Sequence, residues 1–359
     1  MDFTMTDEQK ALRSAARELA ARHAPERGEG DVPVGPHDHD PKTWTAMAEM
    51  GALGLPFAED VGGFGASPVE VSIVAAELGS AGVQTAYADA LVAASLLVSS
   101  GSQSGLVEAV TDGSALVLPA LTEPQRAWSQ TFSSMTASQV GDKWVLSGTK
   151  EPVLCVGSAT HLVVPAQTND GLAVFLVETP VVSGARVALV ETPATLLLDP
   201  SRTPAALAGA VNLGIVTLAG EALGAMDAAL SMTVEYLKTR KQFGVPLMKF
   251  QTLTQRAADM YVSLELARST VLFAAMQLAD HPDDAAIASR TKVVVGRTGR
   301  HIGQEAIQLH GGIGMTAEYS VGHLTARLTA IERTFGDPRQ HLAILAGSVR
   351  DHAMVDVLS

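Results

Sequence analysis

The chain has 359 residues, 25 lysines and arginines against 38 aspartates and glutamates, a formal net charge of −13, and one cysteine, Cys155. The acidic balance excludes a nucleic-acid scaffold, which needs a basic surface to displace counterions from phosphates. A single thiol cannot form an internal disulfide, so we expect a cytoplasmic protein. We expect no signal peptide, and no membrane span, because no run of about 18 apolar residues is apparent.

The first part of the chain is predicted to be helical. Thr6 and Gln9 form a capping box ahead of apolar residues at helical spacing. A further helix is predicted over residues 44–53, and two alanine-rich helices between residues 68 and 100. These elements predict an N-terminal helical domain over residues 1–112.

The residue pattern changes near Gly113, where short β-branched segments alternate with Gly, Pro and Asn. Such segments are typical of strands joined by turns. The predicted strands lie at residues 115–118, 143–147, 161–164 and 172–177. Their close spacing predicts an antiparallel β domain over residues 113–205.

The last part is predicted to be helical from about Val211 to about Ala353, in a domain over residues 206–359 that is similar to a four-helix bundle. Gly244 and Pro246 interrupt its first long helix. Apolar residues then recur at helical spacing, which predicts a helix with one buried face. The order of helices, strands and helices predicts an α+β fold.

Two segments of this last part carry the most informative pattern. Residues 236–251 are YLKTRKQFGVPLMKFQ, and residues 308–319 are QLHGGIGMTAEY. Together with Gly-Gly-Phe-Gly at 62–65 and Thr-Glu-Pro at 122–124, they resemble the acyl-CoA dehydrogenase superfamily over most of the chain. The resemblance implies an FAD enzyme that removes hydrogens from the α and β carbons of an acyl-CoA thioester.

In this family FAD lies extended at a subunit interface, and the resemblance assigns its adenine and diphosphate end to five residues. These residues are Arg240, Phe243, Gln251, Gln308 and Gly312. An arginine neutralises diphosphate charge, and a glycine permits close approach of the backbone. Phe243 follows Arg240 by three residues, so we expect both side chains on one helical face.

The segments that serve the flavin ring depart from the family pattern. The family places a hydroxyl at the reactive edge of the ring, where this chain has Leu154, and an aromatic residue two positions earlier, where it has Pro152. Leucine has no polar atom for that hydrogen bond. Residues 125–129 replace the family's glycine-rich loop with Gln-Arg-Ala-Trp-Ser.

The catalytic base of the family is missing as well. Its two alternative glutamate positions correspond to Phe335 and Gly214, and the neighbouring substrate-binding arginine corresponds to Ile215. None of these side chains can accept the α proton. We therefore predict no catalytic residue in this chain.

Loss of the flavin side and retention of the nucleotide side predict one subunit of a heteromeric enzyme. The partner is a homologous acyl-CoA dehydrogenase subunit that binds most of the acyl-CoA. The resemblance extends to short actinobacterial subunits that pair as α2β2 heterotetramers in steroid side-chain degradation, a β-oxidation type of lipid catabolism. That likeness implies the same context here.

Two other interpretations stay open. One is an active homo-oligomeric dehydrogenase whose base has moved to Glu221 or to Asp337. We expect Glu221 to have a structural role on its helix. We expect Asp337 and the nearby Glu332 to lie in a solvated loop. The other is a structural or CoA-binding protein without redox chemistry. The His-Asp-His-Asp segment at 37–40 has metal-ligand residue types, but a solvated loop is favoured, so no metal is expected.

Overall fold

Helices at both ends of the chain enclose a central β-sheet. The computed structural model describes residues 4–28, 30, 32, 38–178, 182 and 184–349. The α+β order predicted from the sequence is confirmed. The domain limits after residues 112 and 205 stay predictions, and the expected helix end near Ala353 lies outside the described residues.

The N-terminal part has five helices within the described residues. They are α1 (Asp7–Arg22), α2 (Pro41–Glu49), α3 (Pro68–Ala81), α4 (Tyr87–Ser100) and α5 (Ser104–Thr111). The capping box of α1 is confirmed, with the Gln9 amide 3.2 Å from the Thr6 hydroxyl. The helix expected over 44–53 begins earlier, behind the Asp40 cap, and ends at Glu49 because Gly51 adopts a left-handed conformation with φ of 79°.

The central sheet is mixed rather than antiparallel as predicted. Its strands are β1 (Val117–Pro119), β2 (Thr136–Val140), β3 (Lys143–Lys150), β4 (His161–Thr168), β5 (Gly171–Glu178) and β6 (Val187–Leu198). They are ordered β1-β4-β2-β3-β6-β5, and β4 also pairs with β5. Val117 pairs with His161 in parallel, because the long connection from β1 to β4 lets the chain return in the same direction.

The C-terminal part is a bundle of long helices interrupted by one hairpin. Its elements are α6 (Thr203–Thr239), β7 (Lys241–Gln242), β8 (Val245–Pro246), α7 (Gln251–Asp280), α8 (Ala285–His310), α9 (Ser320–Arg333) and α10 (Pro338–Ser348). Helix α6 begins eight residues before the predicted start at Val211. The one-sided burial of α7 is confirmed, since Met260, Leu264 and Ala267 are buried.

Helix α6 is the central element, about 55 Å long at the usual rise per residue. It packs against α3 at backbone distance. A Cβ atom added to Gly224 would lie 1.8 Å from the Ala76 carbonyl oxygen, and one added to Gly79 would lie 2.0 Å from the Glu221 carbonyl oxygen. The two helices therefore meet along a seam where no side chain fits.

Helices α6 and α7 are each long and apolar enough, by length and composition, to span a membrane, although no apolar run of that length was apparent in the sequence. In α6, 78% of the most apolar window is buried inside the protein, and in α7 33%. A helix buried on all sides is apolar around its whole circumference, which accounts for the composition of α6.

Candidate functional site

The first of the two C-terminal motifs forms a hairpin, not the helical face expected for Arg240 and Phe243. Helix α6 ends at Thr239, and Arg240 is extended with ψ of 130°. Phe243 and Gly244 form the turn with φ of 53° and 82°, the sign that two-residue hairpins require. Phe243 is 91% exposed, and its ring packs edge-on against Phe250 at 6.1 Å.

The other three residues assigned to the dinucleotide are also on the surface. Gln251 is the first residue of α7, directly after Phe250, and Gln308 lies in the last turn of α8. Gly312 follows in an open loop, where an added Cβ would meet no atom within 4 Å. The hairpin therefore groups Arg240, Phe243 and Gln251, while Gln308 and Gly312 lie at the end of a second helix.

An aromatic stack joins these two groups. His310, the last residue of α8, is 3% exposed. Its ring centroid lies 4.5 Å from that of Tyr236, one turn before Arg240 in α6, and 5.0 Å from that of Tyr319. This contact could not be predicted from the sequence, because the motif specifies only the order of these residues along the chain.

Exposed apolar side chains surround the same hairpin and loop. We define the apolar rim as Phe243, Val245, Met248, Ile313 and Met315, each at least 39% exposed. Grouped apolar residues on a surface are typical of an interaction site. The rim lies beside the residues that the resemblance assigns to FAD.

A buried ion pair ties the Thr-Glu-Pro segment to the end of β3. The Lys150 ammonium nitrogen lies 2.7 Å from a Glu123 carboxylate oxygen, and the two side chains are 1% and 7% exposed. Burial opposes ionisation of Glu123, but hydrogen bonds from Lys150, Ser133 and Ser134 outweigh it and lower its pKa to about 2. Burial also lowers the pKa of Lys150. The cost of keeping this lysine charged in the interior therefore offsets part of the stabilisation that the ion pair provides.

We predict that Glu123→Gln removes an acid-sensitive contribution to stability. The folded pKa of Glu123 lies below its usual 4.5, so its contribution is present above pH 4.5 and is lost as the pH falls to about 2. The contribution is at most about 3 kcal/mol. Urea unfolding from pH 7 to pH 2 measures it: wild type and Glu123→Gln should converge in acid. The control Glu178→Gln alters an exposed carboxylate; equal pH profiles for all three proteins would contradict the prediction.

The segment after β3 carries Pro152 and Leu154 beside Thr122. The Glu151 amide donates to the Thr122 carbonyl at 2.9 Å, and the Val153 amide donates to the Ala185 carbonyl at 2.8 Å. Leu154 is half-buried and Pro152 is exposed. The position that the resemblance gives to a flavin-binding hydroxyl is thus held by backbone bonds but offers an apolar side chain.

Gly214 and Phe335, the two alternative positions of the family's catalytic glutamate, are distant in sequence but lie side by side in the fold. The Phe335 ring occupies the space that a side chain at position 214 would need. A Cβ added to Gly214 would lie 2.8 Å from a ring carbon of Phe335 and 2.5 Å from a methyl of Val92. The Phe335 ring is 6% exposed and packs against Trp128 with centroids 5.9 Å apart. Trp128 belongs to the replaced loop at 125–129. We call these four residues the aromatic plug.

Buried polar groups hold the loop that carries Phe335. The Lys292 ammonium donates to the carbonyls of Ile331 and Glu332, at 2.7 and 3.1 Å. The His341 ring is bonded to the Phe335 carbonyl at 2.8 Å and to Ser289 at 3.0 Å. Phe335 itself has a φ of 57°, which is rare for a bulky residue. The position of the plug is thus set by several helices.

Glu221, the first relocated-base candidate, is committed to a buried ion pair. Both its carboxylate oxygens accept from the Arg327 guanidinium, one at 2.8 Å, and the side chains are 12% and 10% exposed. A two-point arginine contact is among the strongest that a carboxylate makes. Both oxygens of the Glu221 carboxylate are therefore occupied by one guanidinium.

The candidates near Phe335 also have structural roles, and the expectation of a solvated loop was wrong for Glu332. Asp337 caps α10 and accepts from the amides of Arg339 and Gln340, each at 2.9 Å. Glu332 lies in α9, is 7% exposed and pairs with Arg300. The burial of Glu332 and the capping by Asp337 could not be predicted, because the helices that surround these residues are distant in sequence.

Asp89, on α4, is a half-buried carboxyl that the sequence did not single out. Burial raises its pKa to about 6, with Glu221 adding to the effect and Arg327 opposing it. It lies one helical turn before Val92, which contacts Gly214. A carboxyl with this pKa is suited to accept a proton near neutral pH.

The acidic and histidine segment at 37–40 shows local contacts where it is described. His37 lies outside the described residues. His39 packs against Trp44 with centroids 5.5 Å apart, and Asp40 accepts from the Thr43 amide at the start of α2. No group of three potential metal ligands occurs in the parts of the chain that the structure covers.

The N-terminal and C-terminal parts of the chain each match a family of known proteins. Residues 6–104 match the acyl-CoA dehydrogenase N-terminal domain, and residues 205–349 match the C-terminal domain. A probable acyl-CoA dehydrogenase of Bacillus subtilis is 30% identical, over 89% of this chain and 92% of its own length.

Solved structures share the fold of this chain. A steroid acyl-CoA dehydrogenase variant, Tcur3481-Tcur3483, has a TM-score of 0.86 and 28% identity over 96% of this chain and 98% of its own. The ChsE4-ChsE5 complex of Mycobacterium tuberculosis has a TM-score of 0.86 at 22% identity, covering 99% and 100%. The chain therefore belongs to the acyl-CoA dehydrogenase family, which are FAD-dependent oxidoreductases that act on the CH–CH bond of acyl-CoA thioesters.

Proposed function

We propose that this chain is the non-catalytic subunit of a heteromeric acyl-CoA dehydrogenase. It supplies the adenine and diphosphate half of an FAD site to a homologous partner, and it carries no base of its own. The aromatic plug is the observation that carries the proposal. Where a family member needs a carboxylate and room for a thioester, Phe335 packs directly on Gly214.

The outer half of the site fits the nucleotide end of FAD. Arg240 is exposed, so its guanidinium is available to a diphosphate, and the backbone at Gly312 faces open space. Gln251 and Gln308 are also exposed, so their side-chain amides are available to the cofactor. FAD, when bound, supplies the oxidising power for removal of two hydrogens from the acyl chain. The residues of this chain bind and orient the cofactor's nucleotide end.

The inner half does not fit the flavin ring. Leu154 has no polar atom to offer, and Trp128 fills part of the loop that is glycine-rich elsewhere in the family. Phe335 and Gly214 cannot accept a proton. These residues therefore fit a chain that contributes to the FAD site of a neighbouring subunit better than a chain with a complete FAD site of its own.

The apolar rim supports a partner subunit on the hairpin side. Phe243 at 91% exposure is costly in water unless another surface covers it. The structural relatives Tcur3481-Tcur3483 and ChsE4-ChsE5 are each named as pairs of different chains, the first of them a steroid acyl-CoA dehydrogenase. By analogy we propose a heterotetrameric partner and a steroid side-chain thioester as the substrate class.

The visible spectrum of the purified protein tests the proposal. The chain should be colourless when expressed alone, and yellow with bound flavin when co-expressed with the homologous subunit of its own organism. Acyl-CoA should bleach the flavin only in the complex. If the isolated chain binds stoichiometric flavin and oxidises an acyl-CoA, the proposal is wrong.

An active enzyme with a relocated base is the second candidate function, and Asp89 is the observation that favours it. Under our proposal, Asp89→Asn and Asp337→Asn leave turnover per bound flavin in the complex unchanged, since the partner holds the base. Both substitutions keep the shape of the side chain, and Asn still caps a helix. Stopped-flow flavin reduction measures the rate, and a fall of more than about a hundredfold for Asp89→Asn would establish it as the base.

A further inference from the structure

We propose that His310 is a positioning residue for the dinucleotide. Its ring joins the end of α6 that carries Arg240 to the end of α8 that carries Gln308 and Gly312. The inference rests on the proposed function, because it concerns how this chain shapes the FAD half-site. His310 itself is buried and does not touch the cofactor.

Three elements meet at the His310 ring. Tyr236 contributes from α6 with its ring inclined by 32°, and Tyr319, at the start of α9, contributes from the other side at 51°. Aromatic pairs at these separations and angles are attractive beyond the area that they bury. Without the His310 ring, Tyr236 on α6 and Tyr319 before α9 would each lose their aromatic contact with the end of α8.

Hydrogen bonding fixes the orientation of the ring. The Nδ1 atom lies 2.7 Å from the Ala306 carbonyl, which can only accept, so Nδ1 carries a proton. Nε2 is buried and has no hydrogen-bond partner among the described residues. Burial lowers the pKa of His310, while the backbone carbonyls of Ala306 and Met232 act in the opposite direction and raise it. The ring is therefore held by one hydrogen bond from its Nδ1–H group and by contacts with two tyrosine rings.

The stack reaches the inferred cofactor residues through short lengths of backbone. The Tyr236 carbonyl accepts from the Arg240 amide at 2.9 Å, so the position of one fixes the point where the other leaves the helix. At the end of α8, His310 is two residues after Gln308 and two residues before Gly312. Gly311, directly after His310, has φ of 66° and ψ of −143°, a conformation that glycine adopts readily, and it turns the chain away from the helix.

Replacement of the ring separates positioning from general stability. His310→Leu removes both stacking contacts, whereas His310→Phe keeps an aromatic ring and loses only the Nδ1 bond. On the flavin-loaded complex with the partner subunit, His310→Leu should weaken FAD binding about tenfold. His310→Phe should retain affinity within about threefold. Equal losses for both variants would show that the ring does not act through stacking.

A double-mutant cycle tests whether His310 acts through Arg240. If it does, Arg240→Gln and His310→Leu together should weaken FAD binding by less than the sum of the two single losses, because part of the His310→Leu loss is the misplacement of an arginine that is already gone. Additive losses would overturn the inference. If Arg240→Gln has no effect, the proposed function fails; if it weakens FAD binding and His310→Leu does not, only the role of His310 fails.

The isolated chain gives a readout that needs no cofactor. The ring protons of His310, observed by NMR, should be shifted upfield by the two tyrosine faces, and Tyr236→Leu should remove part of that shift. A His310 signal at ordinary positions would contradict the stack.

Discussion

Substitution of Arg240 with glutamate is expected to strip FAD from the complex. The exchange places a carboxylate against the diphosphate, where the arginine would have neutralised it, so attraction becomes repulsion. We expect a loss of flavin affinity of more than about a hundredfold, equivalent to about 3 kcal/mol. Flavin content after gel filtration, read from the ratio of visible to ultraviolet absorbance, measures the effect.

A matched control separates this effect from a change in net charge. Arg290 is exposed in the first turns of the same helix that carries Gln308 near its other end, about 27 Å away at the helical rise. Arg290→Glu should leave flavin content unchanged. If Arg240→Glu also leaves every property of the complex intact, the chain has no part in FAD binding, and a structural or CoA-binding role without redox chemistry becomes the better explanation.

Substitution of Gly224 with alanine is expected to have the largest effect on folding. The new methyl group would lie 1.8 Å from the Ala76 carbonyl oxygen, and backbone cannot move aside as the end of a side chain can. Helices α3 and α6 would have to separate along their whole seam. We expect a loss of about 3 kcal/mol or more in the free energy of unfolding, or an insoluble product.

Gly209→Ala in the same helix is the control for this prediction. There the nearest atom to an added Cβ is in Pro282 at 3.8 Å, an ordinary contact. Because alanine favours helix more than glycine does, Gly209→Ala should be neutral or stabilise by up to about 1 kcal/mol. Thermal and urea unfolding compare the two, and a tolerated Gly224→Ala would show that the seam is looser than described.

Much of the fold was predictable because it depends on local patterns. The Thr6–Gln9 box, the periodic burial of α7 and the break at Gly244 follow from rules that act over a few residues. The parallel pairing of β1 with β4 was not predictable, because strand direction depends on how a long connection returns. Similarly, the apolar length of α6 reflects its burial by helices that are distant in sequence.

The site shows the same division. Motif order was enough to single out Arg240, Phe243 and Gly312, but the hairpin that carries Phe243 replaced the helical face inferred from a spacing of three. The contact between Phe335 and Gly214 could not be inferred, since each was identified only by what it lacks. The roles of His310 and Trp128 could not be inferred either, because these roles come from contacts and not from residue types.

The aromatic plug has an evolutionary consequence. A glutamate at position 335 would replace a buried ring with a charged carboxylate and leave a gap against Trp128, while any side chain at position 214 would collide with Phe335 and Val92. A glutamate at either position is therefore disfavoured until the residues that face it have changed as well. Introducing a base at either position thus needs more than one substitution, and each intermediate on the way would be less stable.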